Sequence, residues 1–205
     1  MLLDDNTLVR LNTHSAIDIR FDSKRRLIVL EEGEIQVETG SHGDPRPFIV
    51  ETADGSMRAL GTRFLVRREA QGTRLSVLQS AVAARPDGPH DEQKVRAGQQ
   101  LLIRSDGLGT LSALAPGADA WVRGMLVVDN TRLADLATEL GRYRRGYLGV
   151  SPEVADLRIT GSFPLNDPDL ALKALLPTLP IRIEKHGPWW VTLNAAQTNA
   201  TAKNL

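Results

Sequence analysis

Cysteine is absent from this chain of 205 residues. That excludes disulfide staples, thiolate nucleophiles and zinc centres built on Cys. Net charge is absent as well, since 25 Lys and Arg balance 25 Asp and Glu. The two parts of the chain on either side of Trp121 are each near neutral, so no net field draws the protein to nucleic acid or an anionic membrane. Aromatic residues make up only 4% of the chain, too few for the stacking platforms of single-strand binders. No apolar run approaches the roughly 18 residues of a membrane span, and no signal peptide is visible. Met1-Leu2-Leu3 followed by Asp4-Asp5 reads as a cut made inside a longer protein.

Catalytic signatures are missing too. There is no GxSxG, HExxH or Walker A motif, and no GxGxxG follows a strand. His14, His42, His90 and His186 sit on unrelated loops or strand ends without ligand spacing, so neither a metal site nor a cofactor is expected. Arg142, Arg144 and Arg145 read as cations favoured at a helix C-terminus.

What is present is strand grammar. Phe48, Val50 and Thr52 alternate with polar or small residues, Phe64 and Val66 alternate again, and Gly61 stands where one pattern gives way to the next. A glycine there marks a bulge, a bend or a close backbone approach. Ile17, Ile19 and Phe21 alternate with Asp18 and Arg20. Leu27 to Leu30, Glu31-Glu32-Gly33 and then Ile35 and Val37 read as a hairpin. A weak echo recurs at Leu78-Gln79-Ser80-Ala81-Val82 and at Val95 to Leu101, each with a tight polar or small turn between apolar strands. Residues 1–114 are therefore expected to form an all-β domain, sandwich- or solenoid-like.

Residues 115–120 (starting Ala115-Pro116-Gly117) read as a linker, and the pattern then changes. Met125, Val127 and Val128 suit a strand. Leu133, Leu136, Ala137, Leu140 and Tyr143 recur at helical spacing, with Asn130 or Thr131 as cap and Gly146 as the end. Tyr147, Leu148 and Val150 suit one strand, and Leu157, Ile159 and Phe163 another. Asn166-Asp167-Pro168-Asp169 starts a second helix, with Leu172, Leu175 and Leu176 inward and Pro177 as the stop. Ile181, Ile183, Trp190, Val191 and Leu193 complete a hairpin turned at His186-Gly187-Pro188. Residues 121–193 thus read as a small α+β domain, βαββαββ, and 194–205 as a disordered tail. For Trp189-Trp190, alternation predicts one ring packed inside and the other lying under a loop.

Six segments taken in order resemble the periplasmic region of FecR-type sigma regulators. They are Leu60-Gly61-Thr62-Arg63-Phe64-x-Val66, Val77-Leu78-x-x-x-Val82, Ala97-Gly98-Gln99, Trp121-x-x-Gly124-x-Leu126, Arg142-Tyr143 and Ile159-Thr160-Gly161-x-Phe163. Gln79-Ser80 departs from the Glu-Gly usual at that turn. The resemblance implies an inner-membrane regulator of an extracytoplasmic-function sigma factor, usually in iron or siderophore uptake. It implies a periplasmic location, a membrane-proximal β domain, and a C-terminal domain similar to the short N-terminal domain of secretins and TonB receptors. The implied partners are the signalling domain of a TonB-dependent outer-membrane transducer and, through a cytoplasmic segment beyond a single membrane helix, the sigma factor. No enzymatic activity and no nucleic-acid contact are implied.

Within that reading, the expected contact is strand-edge pairing with apolar anchors. The candidate residues are Leu148, Gly149, Val150, Leu157 and Ile159, with Trp189 and Trp190. A structural assembly module of the envelope is the alternative. A carbohydrate-binding or hydrolytic protein is disfavoured, because no acid pair or aromatic platform stands out.

Overall fold

The computed structural model describes residues 1–40, 44–59, 61–89 and 91–196. Leu60, His42, His90 and the part of the expected tail from 197 onward lie outside the described residues. The chain divides into two units, Met1–Val122 and Arg123–Leu205.

Among the described residues, the first unit has thirteen strands. They are β1 Leu8–Leu11, β2 Ala16–Phe21, β3 Arg26–Glu32, β4 Glu34–Glu38, β5 Phe48–Thr52, β6 Gly55–Ala59 and β7 Arg63–Glu69. After these come β8 Gly72–Gln79, β9 Ala81–Pro86, β10 Gln93–Arg96, β11 Gln99–Arg104, β12 Gly107–Leu108 and β13 Ser112–Ala113. Two sheets result. One has the order β1-β4-β7-β8-β11-β12, with β13 also on β11, and the other has β10-β9-β6-β5-β3-β2. In both, chain order and spatial order run together, so the chain zigzags between sheets as it advances along them. The unit is a sandwich wound like a short solenoid.

The crossings explain the echo in the sequence. Between β1 and β2, β3 and β4, β6 and β7, β8 and β9, and β10 and β11, one residue adopts the left-handed backbone: His14, Gly33, Gly61, Ser80 and Gly98. Each is a corner from one sheet to the other. The expected hairpin through Glu31-Glu32-Gly33 is therefore corrected, since β3 pairs with β2 and β5 while β4 pairs with β1 and β7. A short polar turn with one glycine serves a hairpin or a corner equally well, and only the long-range partners separate the two.

Between the sheets lie Ile28, Leu30, Ile35, Val37, Phe48, Val50, Met57, Phe64, Val66, Leu75, Val77, Val82 and Ile103, all essentially inaccessible to water. Burial of each large side chain stabilises by about 1.5–3 kcal/mol before chain entropy is counted. The N-terminal segment is pinned by a buried ion pair. Asp5 and Arg26 meet at 2.8 Å with side chains 4% and 9% exposed, and Arg26 also donates to the Arg46 carbonyl at 2.8 Å.

The second unit contains β14 Met125–Arg132, α1 Leu133–Gly141, β15 Tyr147–Val150, β16 Arg158–Pro164, α2 Pro168–Lys173, β17 Ile181–His186 and β18 Trp190–Ala195. That is the strand and helix order read from the sequence. β14 pairs with β16, while β15, β18 and β17 form a separate three-stranded sheet in that spatial order, with β15 parallel to β18. Leu133, Leu136, Ala137 and Leu140 of α1 are buried, as are Phe163, Leu172, Leu175, Val191 and Leu193.

Several boundaries differ from expectation. Asn130 and Thr131 do not cap α1: Asn130 sits in a bulge of β14, left-handed at φ 46°, and Thr131 pairs with Ile159 on β16. The first helical N–H groups are satisfied from outside the helix. Leu133 donates to the Leu157 carbonyl at 2.8 Å and Ala134 to the Ala155 carbonyl at 3.1 Å, which replaces a side-chain cap. The helix ends at Gly141 rather than Gly146, so Tyr143 lies beyond it. α2 starts at the expected Asn166-Asp167-Pro168, and of its two candidate caps Asp167 serves, accepting from the Leu170 N–H at 2.9 Å. That helix stops at Lys173, and Leu176 is exposed rather than inward. At the far end β18 runs through Ala195, carrying Asn194 and Ala195 from the expected tail into the sheet, where Asn194 donates to Glu184 at 2.8 Å.

A candidate docking surface on the second unit

The family-like segments of the first unit are corners and core. Gly61 has φ +73° and open space where a Cβ would stand, so its requirement is conformational and not steric. Thr62 exchanges hydrogen bonds with Thr39: its N–H donates to Thr39 Oγ1 at 2.8 Å, and its carbonyl accepts from the Thr39 N–H at 3.0 Å. Arg63 opens β7, and Phe64 and Val66 are core residues. In the second unit Gly124 precedes β14 at φ +72°, its carbonyl accepting from the Leu165 N–H at 2.8 Å. Trp121 lies in a 3₁₀ turn, Ala120–Arg123. Arg142 follows α1, pairs with Glu139 at 3.1 Å and lies 6.0 Å from the Tyr143 ring centre. Gly161 faces Val128 across the β14–β16 ladder. These roles shape the fold, and none presents a reacting group.

Exposed aromatic side chains gather elsewhere, at one end of the three-stranded sheet. Trp189, Trp190 and Tyr147 are 57%, 51% and 50% exposed. The expectation that one tryptophan packs inside is corrected. Val191 and Leu193 take the core-facing positions of β18, so alternation sends Trp190 outward, and Trp189 belongs to the turn before the strand. Register places Tyr147, Trp190 and His186 in one row across the three strands. The Tyr147 and Trp190 rings stack with centres 4.4 Å apart and planes at 34°. A Cβ on Gly149 would stand 2.6 Å from the Tyr147 ring, so glycine gives the ring room to lie on the strand.

Arg144 holds this end together. Its side chain, 9% exposed, donates to the Pro188 carbonyl at 3.1 Å and to the Tyr147 carbonyl at 3.2 Å. It also reaches Asp169 at 3.4 Å. Sequence reading assigned Arg144 to a helix terminus and overlooked Tyr147 as an anchor. The turn-rich Arg144-Arg145-Gly146 before a strand was the available signal.

The strand edges separate the other candidates. β15 has β18 as its one neighbour among the described strands. Tyr147 donates to the Trp189 carbonyl at 2.7 Å and Ser151 to the Leu193 carbonyl at 2.9 Å. Alternation therefore turns the Leu148 and Val150 N–H groups toward the unpaired edge. Ile159 lies on β16, which pairs with β14 alone among the described strands. Leu157 is not on a strand: its N–H donates to the Val154 carbonyl and its carbonyl caps α1. Its backbone is committed internally and cannot extend a sheet. Among the described residues, no cluster of His, Asp or Glu could hold a metal ion, and no helix is long and apolar enough to cross a membrane.

Comparison with known proteins finds a family match within the first unit. Residues 1–83 match the FecR protein family. The FecR match ends inside β9, so it covers most of the sandwich and none of the docking surface. FecR is a non-enzymatic family. No curated protein matches significantly. Among solved structures, the chain is similar to a candidate anti-sigma factor from Parabacteroides distasonis ATCC 8503, solved at 1.65 Å. The two are 24% identical with a TM-score of 0.77, over 96% of this chain and 94% of that one. A second structure, of the same description and at 2.50 Å, gives a TM-score of 0.76 at 24% identity, over 96% and 93%. At this identity the likeness is one of fold.

Proposed function

We propose that this chain is the periplasmic, signal-receiving part of a membrane-anchored anti-sigma regulator. In this reading the second unit, akin to the short domain that opens secretins and TonB receptors, docks the signalling domain of a TonB-dependent outer-membrane transducer. The FecR unit stands beside the inner membrane and couples docking to a membrane helix. A cytoplasmic segment beyond that helix controls an extracytoplasmic-function sigma factor, in iron or siderophore uptake. The observation that carries the reading is the stacked Tyr147–Trp190 pair beside the unpaired edge of β15. Exposed aromatics of this size supply binding energy at the centre of interfaces, and a free strand edge supplies directional pairing.

The contact residues proposed are Tyr147, Leu148, Val150, Trp189 and Trp190, with Ile159 on the β16 edge; Gly149 contributes by seating the tyrosine ring. Calorimetric titration with the signalling domain of a transducer encoded beside this protein tests the reading. Saturable binding is expected, weakened at least about tenfold by Trp190→Ala. Val150→Pro should weaken it as well, because proline removes an edge N–H without touching the β15–β18 ladder. No binding at high micromolar concentration would refute the reading.

A further inference from the structure

A second apolar feature of this unit lies away from the aromatic row, between α2 and β17. Leu172, Leu176 and Ile183 line a trough of about 270 Å³ whose rim is Asp169, Lys173 and Lys185. Leu176 is 42% exposed although its neighbours Leu172 and Leu175 are buried. The volume falls below the roughly 300–1,000 Å³ of small-molecule pockets and suits one or two aliphatic side chains. The rim is cationic. Asp169 accepts from Lys185 at 2.6 Å and is approached by Arg144 at 3.4 Å. The Lys185 hydrogen bond, against partial burial and with help from Arg144, holds its carboxyl below the usual value. Its charge is thus shared between two cations of the same unit, while Lys173 has no ion-pair partner among the described residues.

We propose that this trough is a docking site for an acidic amphipathic segment of a partner protein. The segment's apolar side chains would enter between Leu172, Leu176 and Ile183, and its carboxylates would meet Lys173 and Lys185. The pairing follows from an apolar floor beside two lysines and one already committed carboxylate. It is independent of the strand-edge contact proposed above, because it uses other elements of the unit.

The test is a nuclear magnetic resonance titration of the isotope-labelled chain with an acetylated peptide carrying leucine and glutamate at helical spacing. The same peptide with lysine in place of glutamate, and decanoate, serve as comparison probes. Saturable shifts should centre on Leu172, Leu176, Ile183, Lys173 and Lys185 with the acidic peptide, and weaken at least about tenfold with the basic one. Leu176→Glu and Lys173→Glu, both at exposed positions compatible with folding, should each reduce affinity by a similar factor. Absence of saturable shifts at the trough, equal response to both peptides, or decanoate binding as tightly as the acidic peptide would overturn the proposal. Because the probe is a model peptide, such failure would leave the transducer reading standing, and failure of transducer binding would leave this one standing.

Discussion

At the corners of the sandwich, one residue decides whether the chain can turn from one sheet to the other, and the corners differ in why. Gly61 needs only its left-handed backbone, since nothing lies within 4 Å of where a Cβ would be. Gly33 needs that conformation (φ +83°) and also space, because a Cβ would stand 2.2 Å from Ser15 Oγ and 2.3 Å from the His14 carbonyl oxygen. Gly61→Ala should therefore cost about 1–2 kcal/mol. Gly33→Ala should cost about 3 kcal/mol or more, since overlap with backbone adds to the strain. Urea denaturation measures both, and equal effects would contradict this division. The buried Asp5–Arg26 pair makes a second claim at this scale. Burial raises the Asp5 pKa, but the Thr7 N–H and hydroxyl together with Arg26 outweigh it and hold it below 3.8. A carboxylate depressed in the folded state contributes stability above its unfolded pKa and loses it as pH falls through the folded value. Stability should therefore decline below about pH 4. Asp5→Asn should cost about 3 kcal/mol at neutral pH by leaving buried Arg26 with only the more distant Asp44, at 3.8 Å, as counter-charge, and it should flatten that decline. An unchanged acid profile in the variant would show that other carboxylates govern it.

Among elements, the sequence was legible where burial follows a simple period and obscure where termini are satisfied from a distance. The strand-built first unit, the βαββαββ order of the second unit and the Asx-Pro start of α2 could be read because alternation, helical spacing and Asx-Pro capping are local signals. The α1 start was misplaced because its N–H groups are met by Ala155 and Leu157, more than 20 positions along the chain. The Glu31-Glu32-Gly33 corner passed for a hairpin because the pairing partners, not the turn residues, distinguish the two. The candidate surface was half legible: the tryptophan pair stood out, whereas Tyr147 and Arg144 gain their importance from β18 and the turn at Pro188. Arg144 is best understood as a positioning residue for that surface. Arg144→Met should leave the far-ultraviolet spectrum unchanged but expose the Tyr147 amide, bonded to the Trp189 carbonyl, to faster hydrogen exchange, at least about tenfold. Exchange no faster than in the parent would mean the aromatic end is held by packing alone.

On the scale of the molecule, the two units divide their use of apolar surface. The first unit spends most of it on the sheet-to-sheet core. The second unit keeps its largest side chains outside, at Tyr147, Trp189 and Trp190, beside a strand that has a neighbour on one side only. Recognition by backbone pairing with aromatic anchors is the account's central claim. Hydrogen exchange at the Leu148 and Val150 amides, measured with and without the transducer signalling domain, tests it most directly. The account predicts that both amides slow by at least about tenfold on binding, because each gains a hydrogen bond across the new strand pair. Binding that leaves both amides exchanging at their free rates would contradict it.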